Sequence, residues 1–301
     1  MSRVTRETAA GAAYLDLQNQ ARRAKRPTDE AHQLYALEGF LSRLSESPYV
    51  DTLVLKGGFL MTAFDARRPT RDVDLEALAF SNDVSDVVDL VRGILEVTPK
   101  EDDGLLFDLS TIKGGVIRDG DEYTGVRVDV VAHLATAIIR FHIDVNVGDP
   151  IWPSPSPVKV PRLRGGPPIE LIGYPLPMVY AEKIVTAVQR GIGNTRWRDF
   201  ADIWTLIQHH SVEGTLTQRA CQVVADHRNV ELMPLSIALN GFADLAQNQW
   251  KLWLRRQIFG NLPQRFDEVL ESVVSFADPI LANEVGHLVW EPESGAWISV
   301  E

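Results

Sequence analysis

The chain has 301 residues, of which 45% are hydrophobic and 24% charged, and its formal net charge is −11. This length predicts a sizeable core divided between two domains, and the composition is that of an ordinary globular protein. The acidic balance argues against a surface covered with basic groups for non-specific nucleic-acid binding, although it leaves a nucleic-acid substrate open.

Cysteine usage and hydropathy narrow the class further. The single cysteine, Cys221, excludes an internal disulfide framework and a cysteine-rich zinc site, and we expect it to be a small core residue of a helix. No apolar run approaches the roughly 18 residues that a membrane-spanning helix needs. The polar opening sequence is unlike a signal or transit peptide, so we expect a cytoplasmic protein without membrane association.

Apolar periodicity predicts a mixed sheet with flanking helices in the first half of the chain. In chain order, the predicted elements are a helix over 29–46, a strand within 51–60 that runs into a glycine turn, a short helix through Met61 and Phe64 closed by Pro69, a strand over 71–76, a helix over 84–97, antiparallel strands over 104–117 and 124–132 around a polar turn at 118–121, and a strand over 138–147.

A connection rich in proline and glycine follows between residues 153 and 168, and it predicts a domain boundary. Beyond it the pattern favours helices, with the final fifteen residues as a tail or a short strand that packs back. The predicted helices cover 177–190, 199–209, 216–227, 235–256 and 265–285. We therefore predict an α+β protein with a mixed β-sheet domain over residues 1–165 and a helical domain over 166–301.

The most informative stretch runs from Leu53 to Leu75 and places a glycine pair and a carboxylate pair close together. Gly57 and Gly58 follow an apolar strand, where they favour either an ordinary tight turn or a loop that brings backbone N–H groups near phosphates. Asp72 and Asp74 are spaced i, i+2 on a strand, so both side chains point to one face. Such a pair is either solvated on an edge strand or holds a divalent cation between the like charges.

A third carboxylate, Asp144, lies in the middle of an apolar strand, where an unpaired charge would be costly. It is either a structural ion-pair partner of Arg140 or Arg127, or a third metal ligand that takes the proton of an attacking hydroxyl. Asp129 has a similar setting and ranks below Asp144, whereas we expect His142 to be a packed or hydrogen-bonded histidine.

Lys183 lies in an otherwise apolar helical segment. It is either a snorkelling surface lysine or a residue that binds the triphosphate of a nucleotide. Asp199 and Asp202 share a helical face further on, as helix-surface partners of Arg196 and Arg198 or as groups that orient Lys183. Basic residues would form one cleft if they converged in space; they are Arg67, Arg68, Arg71, Lys159, Arg162, Arg164, Lys183, Arg190, Arg196 and Arg198.

The order Lys-Gly-Gly, Thr-Arg-Asp-Val-Asp, strand Asp, helix Lys and Arg-x-x-Asp-x-x-Asp resembles the DNA polymerase β-type nucleotidyltransferase superfamily. More specifically, it is similar to the AbiEii and MenT branch, the toxins of type IV toxin–antitoxin and phage-abortive systems. The resemblance spans about residues 50 to 205. One departure is Phe59, which stands where the superfamily more often has a serine after the glycines.

The resemblance implies roles for individual residues. The catalytic residues implied are Asp72, Asp74, Asp144, Lys183 and Asp202; the metal ligands are Asp72, Asp74 and Asp144; the nucleotide-binding residues are Lys56, Gly57, Gly58, Thr70, Arg71 and Lys183. The implied cofactor is Mg²⁺, with Mn²⁺ as an alternative, and the implied substrate is an NTP. In this expectation the sheet domain binds the metal and the helical domain grips the triphosphate.

The resemblance further implies transfer of nucleotides to RNA, notably to the 3′ acceptor end of tRNA, which would block translation. The implied partner is a cognate antitoxin, a transcriptional repressor. Two alternatives remain at this point: nucleotidyl transfer to a small molecule or a protein, and a nucleotide-binding regulatory module without catalysis. An extended basic cleft would favour RNA, and a closed apolar pocket would favour a small acceptor.

Overall fold

The computed structural model describes residues 4–119, 122–256 and 262–299. The chain divides into two compact units. The first contains Met1–Asp149 and Ser156–Gly173, and the second contains Pro150–Pro155 and Tyr174–Glu301. In the described ranges, no helix combines the length and the apolar character that crossing a membrane requires.

The first unit is built from four helices and eight strands among its described residues. They are α1 (Ala9–Arg23), α2 (Thr28–Ser45), β1 (Leu53–Lys56), α3 (Gly57–Leu60), β2 (Asp72–Ala77), α4 (Val84–Leu95), β3 (Leu105–Phe107), β4 (Lys113–Asp119), β5 (Glu122–Leu134), β6 (Ala137–Val147), β7 (Ser156–Val160) and β8 (Ile169–Gly173). Short 3₁₀ turns cover Met61–Phe64 and Leu109–Thr111.

The eight strands form one mixed sheet in the order β3-β5-β6-β2-β1-β8-β7, with β4 paired to β5. Strands β2 and β6 run parallel, as do β1 and β8, whereas the other pairs are antiparallel. The parallel β2–β6 pair brings the Asp72–Asp74 stretch beside the Asp144 stretch, although 70 residues separate Asp74 from Asp144 in the chain.

The two faces of this sheet have different chemistry because side chains alternate across the pleat. On one face, Val73, Leu75, Ile143 and Val145 are fully buried, and helices α2 and α4 pack against the sheet. Helix α2 turns its predicted apolar stripe inward; the buried members are Leu34, Leu37, Phe40, Leu41 and Leu44. The opposite face of the central strands carries the carboxylates.

The structure corrects two details of the first half. The strand predicted over 104–117 is wrong, because a 3₁₀ turn at Leu109–Thr111 splits it into β3 and β4. The Asp108 side chain stabilises this turn by accepting a hydrogen bond from the Ser110 N–H at 3.1 Å. The short helix predicted to close at Pro69 ends earlier, since Asp65 adopts the left-handed conformation with φ 55°. Gly120 and Asp121 of the predicted polar turn lie outside the described residues.

Two strands that the sequence pattern did not predict lie in the breaker-rich connection and directly after it, β7 and β8. They pair antiparallel with each other, and β8 joins the main sheet beside β1. Pro157 lies within β7, which is the last strand at that edge of the sheet. An edge position tolerates a proline because one side of the strand needs no ladder hydrogen bond. The 165/166 domain boundary itself stays a prediction.

The second unit is mainly helical, with a small three-stranded sheet. Its described elements are α5 (Leu176–Arg190), α6 (Trp197–Ile207), β9 (Val212–Glu213), α7 (Gly214–Arg228), α8 (Leu235–Ala238), α9 (Phe242–Arg256), α10 (Phe266–Leu281), β10 (Leu288–Glu291) and β11 (Ala296–Ser299). The helix predicted over 235–256 is broken, with Gly241 at φ 77° between α8 and α9. The predicted tail is an antiparallel hairpin, β10–β11.

The hairpin is fixed to the helices by two indole groups. Trp290 donates its Nε1–H to the Ile207 carbonyl at 2.9 Å, and Trp297 donates to the Phe276 carbonyl at 3.0 Å. Cys221 is buried in α7, which confirms the expectation of a core cysteine. A mixed sheet followed by a mainly helical unit confirms the predicted α+β class.

Candidate active site of the sheet unit

Strand β2 presents Asp72 and Asp74 on one face, as their spacing predicts. Val73 and Leu75, which alternate with them, are fully buried on the other face. A one-residue register slip would bury both carboxylates and expose the valine and the leucine. The apolar residues of the strand therefore hold the carboxylate pair in place.

Asp144 lies directly beside this pair, because β6 runs parallel to β2 with Asp74 opposite Asp144. Carboxylate oxygens of Asp72, Asp74 and Asp144 lie within 4.8 Å of one another. We call these three residues the carboxylate cluster. The sequence motifs named all three, but only the strand pairing shows that they meet.

The glycine pair packs around Asp74. Gly57 has φ 66°, and a Cβ atom there would lie 1.9 Å from Asp74 Oδ2. The Gly58 N–H donates a hydrogen bond to the same oxygen at 3.3 Å. Gly57 thus allows the backbone to approach the Asp74 carboxylate, whereas a Cβ atom at Gly58 would meet Thr70 Oγ1 at 2.8 Å instead. Their predicted contact with substrate phosphates stays a prediction.

The other two carboxylates also have fixed partners. Thr70 is buried and donates its hydroxyl to Asp72 Oδ1 at 2.6 Å. Asp144, 8% exposed, receives two hydrogen bonds from Arg127, at 2.8 Å from Nε and 2.6 Å from Nη2. Of the two ion-pair partners proposed from sequence, Arg127 is therefore the one found. Each carboxylate has about four acceptor positions, so these bonds leave oxygens of the cluster able to accept more.

The electrostatics of the carboxylate cluster favour a cation. Burial and the charges of Asp72 and Asp144 raise the pKa of Asp74 to about 6. Three carboxylates so close repel one another, and the single guanidinium of Arg127 offsets only part of that charge. Hard divalent cations prefer such carboxylate oxygens. The donor set therefore fits a divalent metal ion.

A buried ion-pair network adjoins the cluster and was missed by sequence reasoning. Lys56 lies opposite Asp74, and its Nζ contacts Glu76 Oε2 and Asp149 Oδ2, both at 2.9 Å. The pKa of Glu76 is raised to about 7. Burial and the charge of Asp149 raise this pKa, and Lys56 lowers it in part. The sequence did contain a pattern that indicates the position of Glu76, since it continues the i, i+2 alternation of Asp72 and Asp74. The predicted contact of Lys56 with a nucleotide stays a prediction.

The remaining candidates of the sheet unit are more exposed. Arg71 is exposed beside the carboxylate pair. Asp129 is exposed and lies opposite His142, which is half-buried and pairs in register with Asp72. Neither Asp129 nor His142 belongs to the carboxylate cluster.

In the helical unit, Lys183 and the two predicted aspartates form a compact group, which we call the lysine cluster. Lys183 on α5 is 9% exposed, and its Nζ lies 3.0 Å from Asp199 Oδ1 and 2.7 Å from Asp202 Oδ2 on α6. Arg196 donates its Nε–H to the second oxygen of Asp199 at 2.6 Å. Lys183 is therefore not a snorkelling surface lysine, and both aspartates orient it. The predicted roles of Lys183 and Asp202 in nucleotide binding and catalysis stay predictions.

The charge of Asp199 is stabilised by its neighbours. Burial by itself would raise its pKa, but Lys183 and Arg196 outweigh burial and lower the pKa of Asp199 to about 2. Trp197 at the start of α6 stacks on Phe242 with ring centroids 5.7 Å apart, so it is a packing residue of this unit.

Comparison with known proteins assigns the family. The sequence model of the family described as nucleotidyl transferase AbiEii toxin, type IV TA system, matches residues 39–272, well over half of the chain. The chain therefore belongs to the AbiEii family of nucleotidyltransferase toxins. The family implies an NTP substrate and an antitoxin partner. A search of curated proteins gave no significant match.

Two solved structures show low overall similarity. A protein from H. pylori described as a candidate nucleotidyltransferase aligns with a TM-score of 0.47 and 13% identity, covering 85% of this chain and 96% of that protein. JHP933 from Helicobacter pylori aligns with a TM-score of 0.35 and 10% identity, covering 75% of this chain and 94% of that protein.

Proposed function

We propose that this protein transfers nucleotides from an NTP to the 3′ acceptor end of tRNA, using Mg²⁺ or, alternatively, Mn²⁺ bound by Asp72, Asp74 and Asp144. The observation that carries the proposal is the convergence of three carboxylates within 4.8 Å on adjacent strands. Membership of the AbiEii family supports nucleotidyl transfer as the reaction class. The proposal places the protein in the cytoplasm, with a transcriptional repressor as its cognate antitoxin.

The proposed reaction forms one bond and breaks one. The oxygen of the terminal ribose hydroxyl bonds to the α-phosphorus of the NTP, and the bond from that phosphorus to the bridging oxygen of the β-phosphate breaks. Pyrophosphate leaves, and the hydroxyl proton passes to a base, a role we assign to Asp144. A bound divalent cation would supply charge neutralisation and alignment of the phosphates.

The residues around the cluster would prepare it for this reaction. Arg127 fixes the orientation of the Asp144 carboxylate through two hydrogen bonds. Thr70 fixes Asp72, and the Gly58 N–H contacts Asp74. Because these partners are already in place, little reorganisation is required when substrate binds.

The test is an incorporation assay with each of the four α-³²P-labelled NTPs, total tRNA, and Mg²⁺ or Mn²⁺. We expect the wild-type protein to label tRNA, and Asp72→Asn and Asp74→Asn to lose at least about 100-fold in rate because charge stabilisation of the phosphates is lost. Asp89→Asn, an exposed residue of α4, is the matched control and should retain full activity.

Two treatments identify the acceptor. Periodate oxidation of the tRNA destroys the terminal diol and should abolish labelling if the 3′ end is the acceptor. If the label survives ribonuclease but not protease, the acceptor is a protein and not tRNA. If the label appears in a small molecule, that molecule is the acceptor. Nucleotide binding without any incorporation would instead favour a regulatory module.

A further inference from the structure

The carboxylate-bearing face of the sheet continues along β5 and β6 well beyond the carboxylate cluster. On β6, the residues Ile138, Arg140, His142 and Asp144 are spaced two residues apart. Their side chains therefore share one face of the sheet. The antiparallel register places His133 of β5 opposite Ile138. It also places Leu106 of β3 opposite His133. Further along the same edge of β5, Lys113 of β4 lies opposite Asp129, the partner of His142.

We call Lys113, Arg140, Ile138, His133 and Leu106 the exposed strand surface. Leu106 is 72% exposed and Ile138 58% exposed, which is high for large apolar side chains in a sheet. Lys113 and Arg140 are exposed, and neither forms an ion pair within the described part of the chain. The described part of the fold leaves Lys113, Arg140, Ile138 and Leu106 exposed and His133 half-buried, and exposed apolar groups of this kind mark an interaction site.

The charge of the exposed strand surface complements a phosphate backbone. Lys113 and Arg140 are its cations, whereas Arg127, where the surface meets the cluster, is already paired with Asp144. Two carboxylates share these paired positions of β4, β5 and β6: Asp129, which lies opposite Lys113, and Asp144, which is paired with Arg127. Beyond the cluster, the exposed strand surface therefore has two cations against one carboxylate, in contrast to the net charge of −11 of the whole chain. Cations in such an arrangement bind phosphates and release counterions.

The other side chains of the exposed strand surface suit unstacked RNA bases. Single-stranded RNA bases stack on histidine rings and on arginine guanidinium planes, and their faces also contact apolar groups. His133, Arg140 and Ile138 supply one of each on neighbouring positions. A double-stranded helix would present phosphates and ribose but no base faces, so the surface fits a single strand better than a duplex.

The dimensions also agree with a nucleic-acid strand that ends at the cluster. At about 3.3 Å per residue, Arg140 lies about 13 Å and Ile138 about 20 Å along β6 from Asp144. Nucleotides of a single strand are spaced at least about 3.4 Å apart, so this distance accommodates several of them.

We propose that the single-stranded 3′ end of the RNA acceptor lies along the exposed strand surface, with its terminal ribose at the carboxylate cluster. This inference rests on the proposed function, since it takes RNA as the acceptor. It adds the path of the strand, which runs from Asp144 over Arg140 towards Ile138 and Leu106. Phosphates contact Lys113 and Arg140, and bases contact His133 and Ile138.

The test measures binding of a 5′-fluorescein RNA hairpin with a four-nucleotide single-stranded 3′ end by fluorescence anisotropy over a salt series. The variant is the double charge reversal Lys113→Glu/Arg140→Glu. We expect its Kd to rise about tenfold or more, and the slope of log K against log salt to fall by about 1.4 for two lost phosphate contacts. A blunt-ended hairpin should show a much smaller difference between the variant and wild type.

Lys159→Glu is the matched control. Lys159 is an exposed strand lysine on β7, at the opposite edge of the same sheet, where it pairs with Glu170 at 3.5 Å. We expect its Kd to stay within about twofold of wild type, because a surface charge outside the contact changes binding little. If Lys159→Glu binds the RNA more weakly and the double variant binds it as wild type does, the RNA lies at the β7 edge of the sheet. That result would overturn our proposal.

Incorporation measured on the same proteins separates the two proposals. If wild type extends RNA and the double variant binds and extends it equally well, the strand path is wrong while the proposed function stands. If wild type neither binds nor extends any RNA, both are wrong. Circular dichroism and urea unfolding of each variant establish that a loss of binding does not arise from unfolding.

Discussion

At the scale of single residues, Gly57 has the strictest requirement of the positions around the carboxylate cluster. Its φ of 66° disfavours any side chain, and an added Cβ would lie 1.9 Å from Asp74 Oδ2. The left-handed conformation costs a non-glycine residue roughly 1–2 kcal/mol, and the contact forces the carboxylate to move. Glycine is therefore needed both for the backbone and for the position of Asp74.

We expect Gly57→Ala to lower the free energy of unfolding by about 1–3 kcal/mol and to weaken metal binding, because Asp74 is displaced. Urea unfolding and titration calorimetry with Mn²⁺ measure the two effects. Gly193→Ala is the control, since Gly193 has open space around its Cβ position and no positive φ. Metal binding equal to wild type in Gly57→Ala would contradict the assignment of Asp74 as a ligand.

Cys221 supplies a second prediction at this scale. The residue is 1% exposed, and burial raises the pKa of its thiol to about 12, so the thiol stays protonated at neutral pH. Since the thiolate is the reactive form, we expect no reaction with Ellman's reagent at pH 8 in the native protein and full reaction in denaturant. Ser211→Cys, at an exposed position, should react at once in the native state. Rapid labelling of native Cys221 would contradict the burial of α7.

At the scale of secondary-structure elements, the lysine cluster joins α5 to α6. Lys183 lies between two carboxylates that are themselves buried, so its removal takes away the cation that both of them share. Breaking such a buried pair costs about 3–5 kcal/mol, far more than a surface pair. The cluster is therefore a structural contact between these helices, whatever role it has with substrate.

We expect Lys183→Met to lower the free energy of unfolding by about 3–5 kcal/mol, and a second substitution, Asp202→Asn, to restore part of that loss. Urea unfolding of the single and double variants measures this coupling. Lys251→Met, at an exposed position of α9, should change stability by less than about 0.5 kcal/mol. A Lys183→Met protein as stable as wild type would disprove the structural role.

The lowered pKa of Asp199 makes this contact dependent on pH. Its pKa falls from 3.8 to about 2 on folding, so its ionised form contributes stability above pH 3.8. This contribution, on the order of 2 kcal/mol, should be lost as the pH falls from about 4 towards 2. Urea unfolding across that range should show a steeper loss for wild type than for Asp199→Asn. Parallel profiles for the two proteins would show that Asp199 contributes nothing.

The elements also show where a sequence pattern is sufficient. Helix α2 and strand β2 were predicted nearly to their ends because each has a clear apolar period. Strands β7 and β8 were missed, since short strands interrupted by Pro157 and flanked by prolines carry a loop signal. Their pairing with each other and with β1 outweighs that local signal, and it exists only in the assembled sheet.

At the scale of the whole molecule, ligand binding should be visible as stabilisation. A ligand at about 100 times its Kd adds about 2.7 kcal/mol to the native state. We expect Mg²⁺ with a non-hydrolysable NTP analogue to raise the melting temperature of wild type, and EDTA to reverse the rise. Differential scanning fluorimetry measures both.

The double variant Asp72→Asn/Asp74→Asn is the informative comparison. Without metal it should melt at or above the wild-type temperature, because repulsion within the carboxylate cluster is relieved. With metal and nucleotide it should show no further rise, whereas Asp89→Asn should behave as wild type. An equal ligand-induced rise in the double variant would show that metal and nucleotide bind elsewhere.

The sequence by itself determined the α+β class, the identity of the three carboxylates and the shared face of Asp72 and Asp74. These follow from periodicity and from the alternation of strands, which are local properties of the chain. Only the tertiary structure decided that Asp144 lies opposite Asp74 and that Arg127 is its partner. It also decided that Lys56 is paired with Glu76 and Asp149, and that an uncovered surface extends from the cluster along β6. These contacts join residues far apart in the chain, and strand order and register, which no local pattern encodes, bring them together.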